Sequence, residues 1–241
     1  MIQTFAALIL AHALADFLFH IRWVSDTHPR PVPLLLHGLV VLATANLCLG
    51  SASPWLAALA LAHLATDLGR ALWQRQTRQR GLTPFLVEQM THLLPIAALS
   101  VWRPGLWVAG LWAGIASLPA LMALAAGLIL TLRGGAVAVG LLMEPWAEAT
   151  PRGLLNGGRV IGTLERGLIF LLILGGQPSG IGFLIAAKSV LRFGTVGDDR
   201  AISEYVIIGT LASFAWAILI SFLTVFLLHA LPPLGIPRLT P

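Results

Sequence analysis

AHALADFLFH, residues 11–20, places His12, Asp16 and His20 inside a run otherwise apolar enough to enter a bilayer. Lipid penalises all three groups, so their presence needs a cause. The same pattern returns as AHLATDL at 62–68, with alanine, histidine and aspartate in register. Each copy is followed by a further histidine in an apolar stretch, His37 after the first and His92 after the second. The repeating unit is therefore a helix bearing His-x-x-x-Asp, a connection, and a second helix bearing one histidine. Two such units make four helices, and because both begin on the same side of the membrane the repeat is parallel.

Composition sets the environment for this repeat. Of the 241 residues, 57% are hydrophobic and 10% charged, and mean hydropathy is +0.87. That balance describes a multi-pass membrane protein. A span takes about 20 apolar residues, and stretches of this kind run near 2–21, 33–50, 54–72, 84–101, 104–132, 158–176, 178–192 and 203–230. The fold expected is an all-α, polytopic transmembrane helical bundle of eight spans, or seven if 178–192 is a half-helix or re-entrant segment. The stretch 104–132 is long and interrupted by Pro119. Residues 1–132 read as an N-terminal bundle carrying the His/Asp repeat, 133–157 as a cytoplasmic linker or interfacial helix, and 158–241 as a C-terminal helical segment with a charged cluster.

The net charge of +5 and a pI near 11.0 do not point to nucleic acid, because the basic residues follow topology. Arg22, Arg30, Arg70, Arg75, Arg78, Arg80, Arg133, Arg152, Arg159, Lys188, Arg192 and Arg200 fall on one set of alternate connections, against Arg103 and Arg238 on the other. Positive charge is retained in the cytoplasm, so both termini are expected outside it. RALWQRQTRQR, residues 70–80, reads as a basic cytoplasmic extension touching anionic headgroups. Residues 1–20 lack the basic start and clean apolar core of a cleaved signal peptide, so the first helix is expected to remain. Cys48 is the only cysteine, which rules out an internal disulfide and suggests a packing role.

Spacing of four on a helix puts His12 with Asp16, and His63 with Asp67, on one face. Counted at 1.5 Å per residue from the cytoplasmic helix ends, His12, Asp16, His37, His63, Asp67, Gln89 and His92 all lie at depths of roughly 5–15 Å. Four histidines and two aspartates at similar depth on neighbouring helices suit zinc, manganese or iron, in a mononuclear or dinuclear site. Glu88 and Gln89 lie four and three residues before His92 and share its face, making Glu88 the candidate general base. His20, Asp26 and His28, near the interface or in a loop, stay outside the ligand set. The competing reading is a metal-free polar network that glues helices together, or a proton path.

A second polar set occupies GRVIGTLERG (158–167), AAKSVLRFG (186–194) and SEYVIIG (203–209). Arg159, Glu165, Arg166, Lys188, Arg192 and Glu204 belong to it, and a Glu165–Lys188 ion pair would offset their burial. Gly158 and Gly162 form a small-xxx-small pattern that lets helices approach. These charges either lock helices together or hold an anionic group such as a lipid phosphate. GGAVAVG lacks the context of a phosphate-binding loop, and no nucleophile elbow or kinase motif is present.

Through HALADFLF, HLATDLGR, EQMTHLL, GRVIGTLERGLIFLLILGGQPSGIGFLIAAKSVLRFG and EYVIIGTLAS, the chain resembles the bacterial membrane family catalogued as domain of unknown function 3307. The resemblance implies a bacterial inner-membrane location and brings no activity with it. A looser similarity, of His and Asp in hydrophobic helices, links the chain to bacterial inner-membrane proteins described as metal-dependent hydrolases. The residues leave three expectations: a metal-dependent hydrolase acting on a lipid or other anionic, phosphate-bearing substrate, a metal-ion or proton transporter, or a non-catalytic membrane subunit. They fix no oligomeric state.

Overall fold

The computed structural model describes residues 1–19, 31–77, 81–149, 156–192 and 200–234. His20, Arg22, Asp26, His28, Arg30, Arg78, Arg80, Arg152 and Arg238 lie outside the described residues, as does the side chain of Arg192. Within them the chain is helical and contains no strand. The helices are α1 (Ile2–Phe17), α2 (Pro31–Leu49), α3 (Pro54–Thr77), α4 (Leu82–Trp102), α5 (Leu118–Ile129), α6 (Gly135–Met143), α7 (Gly157–Leu174), α8 (Gly180–Arg192) and α9 (Arg200–His229). The chain divides into two compact units. Met1–Ile129 forms the first, with the end of α9 from Phe226 onward, and Leu130–Val225 forms the second.

In the first unit α1 packs on α2, α2 on α3, α3 on α4, and α4 back on α1, closing a ring of four helices. Small residues allow the close approach: Ala15, Val41 and Ala60 meet in one cluster from α1, α2 and α3. On the far side of α1, Ala6 packs with Ala120 and Ala123 of α5 and with Leu231. Gly38 lies so close to Leu64 that a Cβ at this position would collide with the leucine side chain. The ring is inverted relative to a water-soluble bundle. Leu35, Leu39, Leu47, Leu61, Val87, Met90 and Leu94 face outward, while His12, His37, His63, Asp67 and His92 are buried inside. Apolar surface outside and polar groups inside is the arrangement a lipid solvent selects.

Eight spans are not supported. Among the described residues four helices have the length and apolarity of a span: Val32–Leu49, Leu82–Trp102, Leu118–Ala147 and Arg200–His229. α1, at 16 residues, and α8, at 13, are too short to cross about 30 Å unaided. α3 and α7 have the length but carry Asp67, Arg70 and Arg75, and Arg159, Glu165 and Arg166, respectively. The apolar stretch from 104 does not open a helix. Pro104–Leu106 is a single 3-10 turn, followed by further turns that cap the ring. There the Trp112 indole donates to the Leu47 carbonyl (2.8 Å), Leu111 N donates to Gly50 O (3.0 Å), and Gly110 lies against the Leu49 carbonyl where no Cβ would fit. These contacts occupy carbonyls that the end of α2 leaves without helical partners.

The stretch 133–157, expected as a cytoplasmic linker or interfacial helix, is helical through Ala149. α5 continues into α6 through a π turn at Leu130–Gly134, so Arg133 stands within a helical run.

Candidate metal centre

The six His and Asp residues of the repeat meet inside the four-helix ring. α1 delivers His12 and Asp16, α2 His37, α3 His63 and Asp67, and α4 His92. Asp16 is at the hub, with Oδ1 3.3 Å from His63 Nε2, 3.6 Å from His37 Nε2 and 3.7 Å from His12 Nδ1. Its Oδ2 is 3.4 Å from His92 Nδ1. Asp67 places Oδ2 3.6 Å from His63 Nε2 and 3.7 Å from His37 Nε2, and Oδ1 3.2 Å from His92 Nε2. The two carboxylates therefore serve one shared cluster.

Four of these atoms are close neighbours. His37 Nε2 and His63 Nε2 are 3.2 Å apart. Each lies 3.3–3.7 Å from both Asp16 Oδ1 and Asp67 Oδ2. Bonds of 2.0–2.2 Å to a tetrahedral zinc require ligand–ligand edges of about 3.3–3.6 Å. Asp16 Oδ1 and Asp67 Oδ2 are buried and face imidazole nitrogens at 3.3–3.7 Å, so either a proton on those rings or a cation has to offset their charge. Two overlapping groups, His12 with Asp16, His63 and His92, and His37 with His63 and Asp67, are placed so that they could hold a metal ion.

Gln89 is part of the same assembly. Its Oε1 lies 3.2 Å from His12 Nε2, and its amide nitrogen donates to Asp16 Oδ2 at 3.4 Å. Glu88 faces the edge of the cluster, with ligand atoms of Asp67, Glu88 and His92 all within 4.8 Å of one another. It also makes a 2.6 Å ion pair with Arg70, whose side chain is 21% exposed. Sequence reasoning missed Arg70 as a partner of the site and read it as a topology charge. The signal was its place three residues after Asp67 on the same helix. On the opposite side the cluster is closed by Leu8, Ala11, Val41, Ala45, Leu59, Pro95 and Ile96, which with His12, His63 and His92 surround a void of about 10 Å³. That is room for about one water.

In the second unit Lys188 Nζ lies 2.7 and 2.8 Å from the two Glu165 carboxylate oxygens. Arg166 spends its donors on the carbonyls of Thr131 and Leu132 and on the hydroxyls of Ser213 and Thr163, at 3.1–3.3 Å. It thereby satisfies acceptors that the π turn displaces from regular helical bonding. Glu204 pairs with Arg200 at the surface (2.8 Å). Arg159, Glu165, Arg166, Lys188 and Tyr205 line a cavity of about 320 Å³.

The model of the family described as protein of unknown function DUF3307 matches residues 4–109. Residues 4–109 are similar to DUF3307. The DUF3307 region takes in α1 to α4 and with them every residue of the cluster. It stops before the second unit, so the likeness noted at 158–213 is not covered by this match. No curated protein and no solved structure matches the chain.

Proposed function

We propose that this is an integral membrane protein of the bacterial inner membrane whose four-helix ring holds a zinc-class metal and hydrolyses an anionic substrate such as a phosphate-bearing lipid. The observation that carries the metal reading is the set of five distances, 3.2–3.7 Å, that join His37 Nε2, His63 Nε2, Asp16 Oδ1 and Asp67 Oδ2 inside the ring, with both oxygens buried.

A divalent metal in this set activates water and polarises a carbonyl or phosphoryl oxygen. Glu88, at the cluster edge, is the proton acceptor, and Arg70 orients its carboxylate. Arg70 and Glu88 are partly exposed at the edge of the assembly, so substrate approaches past them. Positive charge at the end of α3 favours the cytoplasmic side for this edge, with the start of α1 outside the cytoplasm.

Transport through the ring is disfavoured by the apolar closure on the other side of the cluster. The hydroxyls there are engaged: Thr44 donates to Val40 and Val41 carbonyls, Ser100 to Ile96 O and Thr4 to Pro104 O. No chain of open polar groups leads outward from His12 and His63 among the described residues.

The test is metal content by mass spectrometry on full-length protein purified without chelators, beside a folded His63→Ala, Asp67→Ala variant. Hydrolysis of phosphoester and carboxyester lipids is then assayed in both, and in Glu88→Gln. Stoichiometric metal and metal-dependent turnover that vanish in the double variant are expected. Absence of metal after reconstitution with zinc, manganese and iron would leave a polar network that specifies helix packing.

A further inference from the structure

We infer that the cavity of the second unit binds an anionic, phosphate-bearing group, either a lipid headgroup or free phosphate, with Arg159 and Arg166 as the cations that hold it. The site shares no residue with the metal centre and does not rest on the metal reading above.

Charge on the cavity wall is unbalanced. Arg159, Glu165, Arg166 and Lys188 all line it. Lys188 lies on both oxygens of Glu165, at 2.7 and 2.8 Å, and so takes up that carboxylate. Arg166 is 3% exposed and donates to four neutral oxygens, those of Thr131, Leu132, Thr163 and Ser213. Its donors are satisfied, but no ion pair offsets its charge. Arg159 is exposed, and its guanidinium has neither an ion pair nor a hydrogen bond among the described residues. Three cations therefore face one carboxylate, and a buried cation without a counter-charge is costly. An anion in the cavity would remove that cost.

Neutral donors complete the set. Tyr205 and Thr210 line the same cavity, and their hydroxyls hydrogen-bond nothing among the described residues. A planar guanidinium that can take two oxygens at once, with hydroxyls beside it, is the chemistry that recognises phosphate.

The space is not forced by packing. At Gly135 a Cβ would collide with Arg166, so the fold requires that glycine. At Gly140 and Gly158, which line the cavity, a Cβ would meet nothing within 4 Å. The volume of about 320 Å³ falls within the range of small-ligand pockets, about 300–1,000 Å³. Val139, Met143 and Val206 give it an apolar wall, which suits the glycerol and first methylenes of a lipid. Arg159, Lys188 and Tyr205 stand near the start of α7, the end of α8 and the start of α9. Positive charge at those ends favours the cytoplasmic side, where basic pockets between helices take anionic headgroups.

The experiment uses full-length protein, delipidated in non-ionic detergent. Phosphatidylglycerol and phosphatidylcholine are titrated separately, with bound lipid per chain read by native mass spectrometry, and inorganic phosphate is titrated by calorimetry. Arg159→Gln removes the exposed cation, and Gly140→Leu fills the cavity without changing charge. Arg75→Gln removes a cation at the end of α3, outside the cavity, and controls for general attraction to anions. One phosphatidylglycerol per chain beyond the phosphatidylcholine level is expected, with affinity lowered by about tenfold or more in the two cavity variants and unchanged in Arg75→Gln. Inorganic phosphate binding with the same variant pattern and no lipid preference supports the site and assigns it to the free anion. Equal retention of the two lipids without phosphate binding overturns the inference. So does an anion affinity that a folded cavity variant retains, or that Arg75→Gln lowers equally. Arg159 is exposed and bonds nothing through its side chain, so Arg159→Gln carries the test if Gly140→Leu does not fold.

Discussion

The Nε2 atoms of His37 on α2 and His63 on α3 face each other at 3.2 Å inside the ring. Two imidazole lone pairs at that distance repel unless a proton or a metal lies between them. If a metal does, zinc stabilises the native state in proportion to its occupancy, by about 2.7 kcal/mol at a hundred times the dissociation constant. Thermal unfolding in detergent should shift upward with zinc and back with a chelator. His37→Ala should abolish the response while leaving a folded protein, and equal shifts in wild type and variant would contradict the assignment.

Asp16 and Asp67 are not equivalent in their surroundings. Asp16 has four histidines within 3.7 Å and Asp67 has three. Asn keeps the shape but brings an uncharged oxygen and an NH₂. Asp16→Asn should therefore weaken zinc binding more than Asp67→Asn, each by at least about tenfold, or about 1.4 kcal/mol. Competition titration with a chromophoric chelator reads the order directly, and a reversed order would argue against Asp16 as the hub.

Gly38 sets the distance between α2 and α3 beside the paired histidines, because a Cβ there meets the Leu64 side chain. Gly38→Val should push the helices apart and lower metal retention after desalting, although no ligand is touched. Shortening the obstacle in Gly38→Val, Leu64→Ala should recover part of the loss. A single variant with full zinc occupancy would show that the ring tolerates a wider spacing.

Arg166 acts in a separate place. Its guanidinium bonds to Thr131 O and Leu132 O, and Arg166→Met leaves those π-turn acceptors unmet. A buried acceptor without a partner costs about 1–3 kcal/mol. Denaturation in mixed micelles should register that loss, while zinc per folded chain stays at the wild-type value. Loss of metal together with stability would tie this arginine to the cluster.

The cluster was legible because its geometry is local. His-x-x-x-Asp fixes one face of one helix, and its recurrence fixes the partner face, so six residues could be placed together without knowing the packing. Span count was not legible in the same way, since it depends on where helices break. The stretch after Arg103 is apolar enough to cross, but Pro104, Gly105 and Gly110 let it fold as turns across the end of α2. Arg133 resembled a loop charge because composition does not reveal a π turn. The Arg70–Glu88 pair joins α3 to α4, and only the spacing of Arg70 from Asp67 hinted at it.

The division of ligands between the two repeats has a consequence for biogenesis. The first hairpin brings His12, Asp16 and His37, the second His63, Asp67 and His92. If the cluster holds a cation, its ligands come from both, so neither hairpin alone would load an ion as it leaves the insertion machinery. Metallation has to wait until the fourth helix is seated, and a chain whose second hairpin failed to insert would be left with buried carboxylates and no counter-charge. The cation would then act as a late proofreading step, holding the ring only when both halves have arrived in the correct orientation.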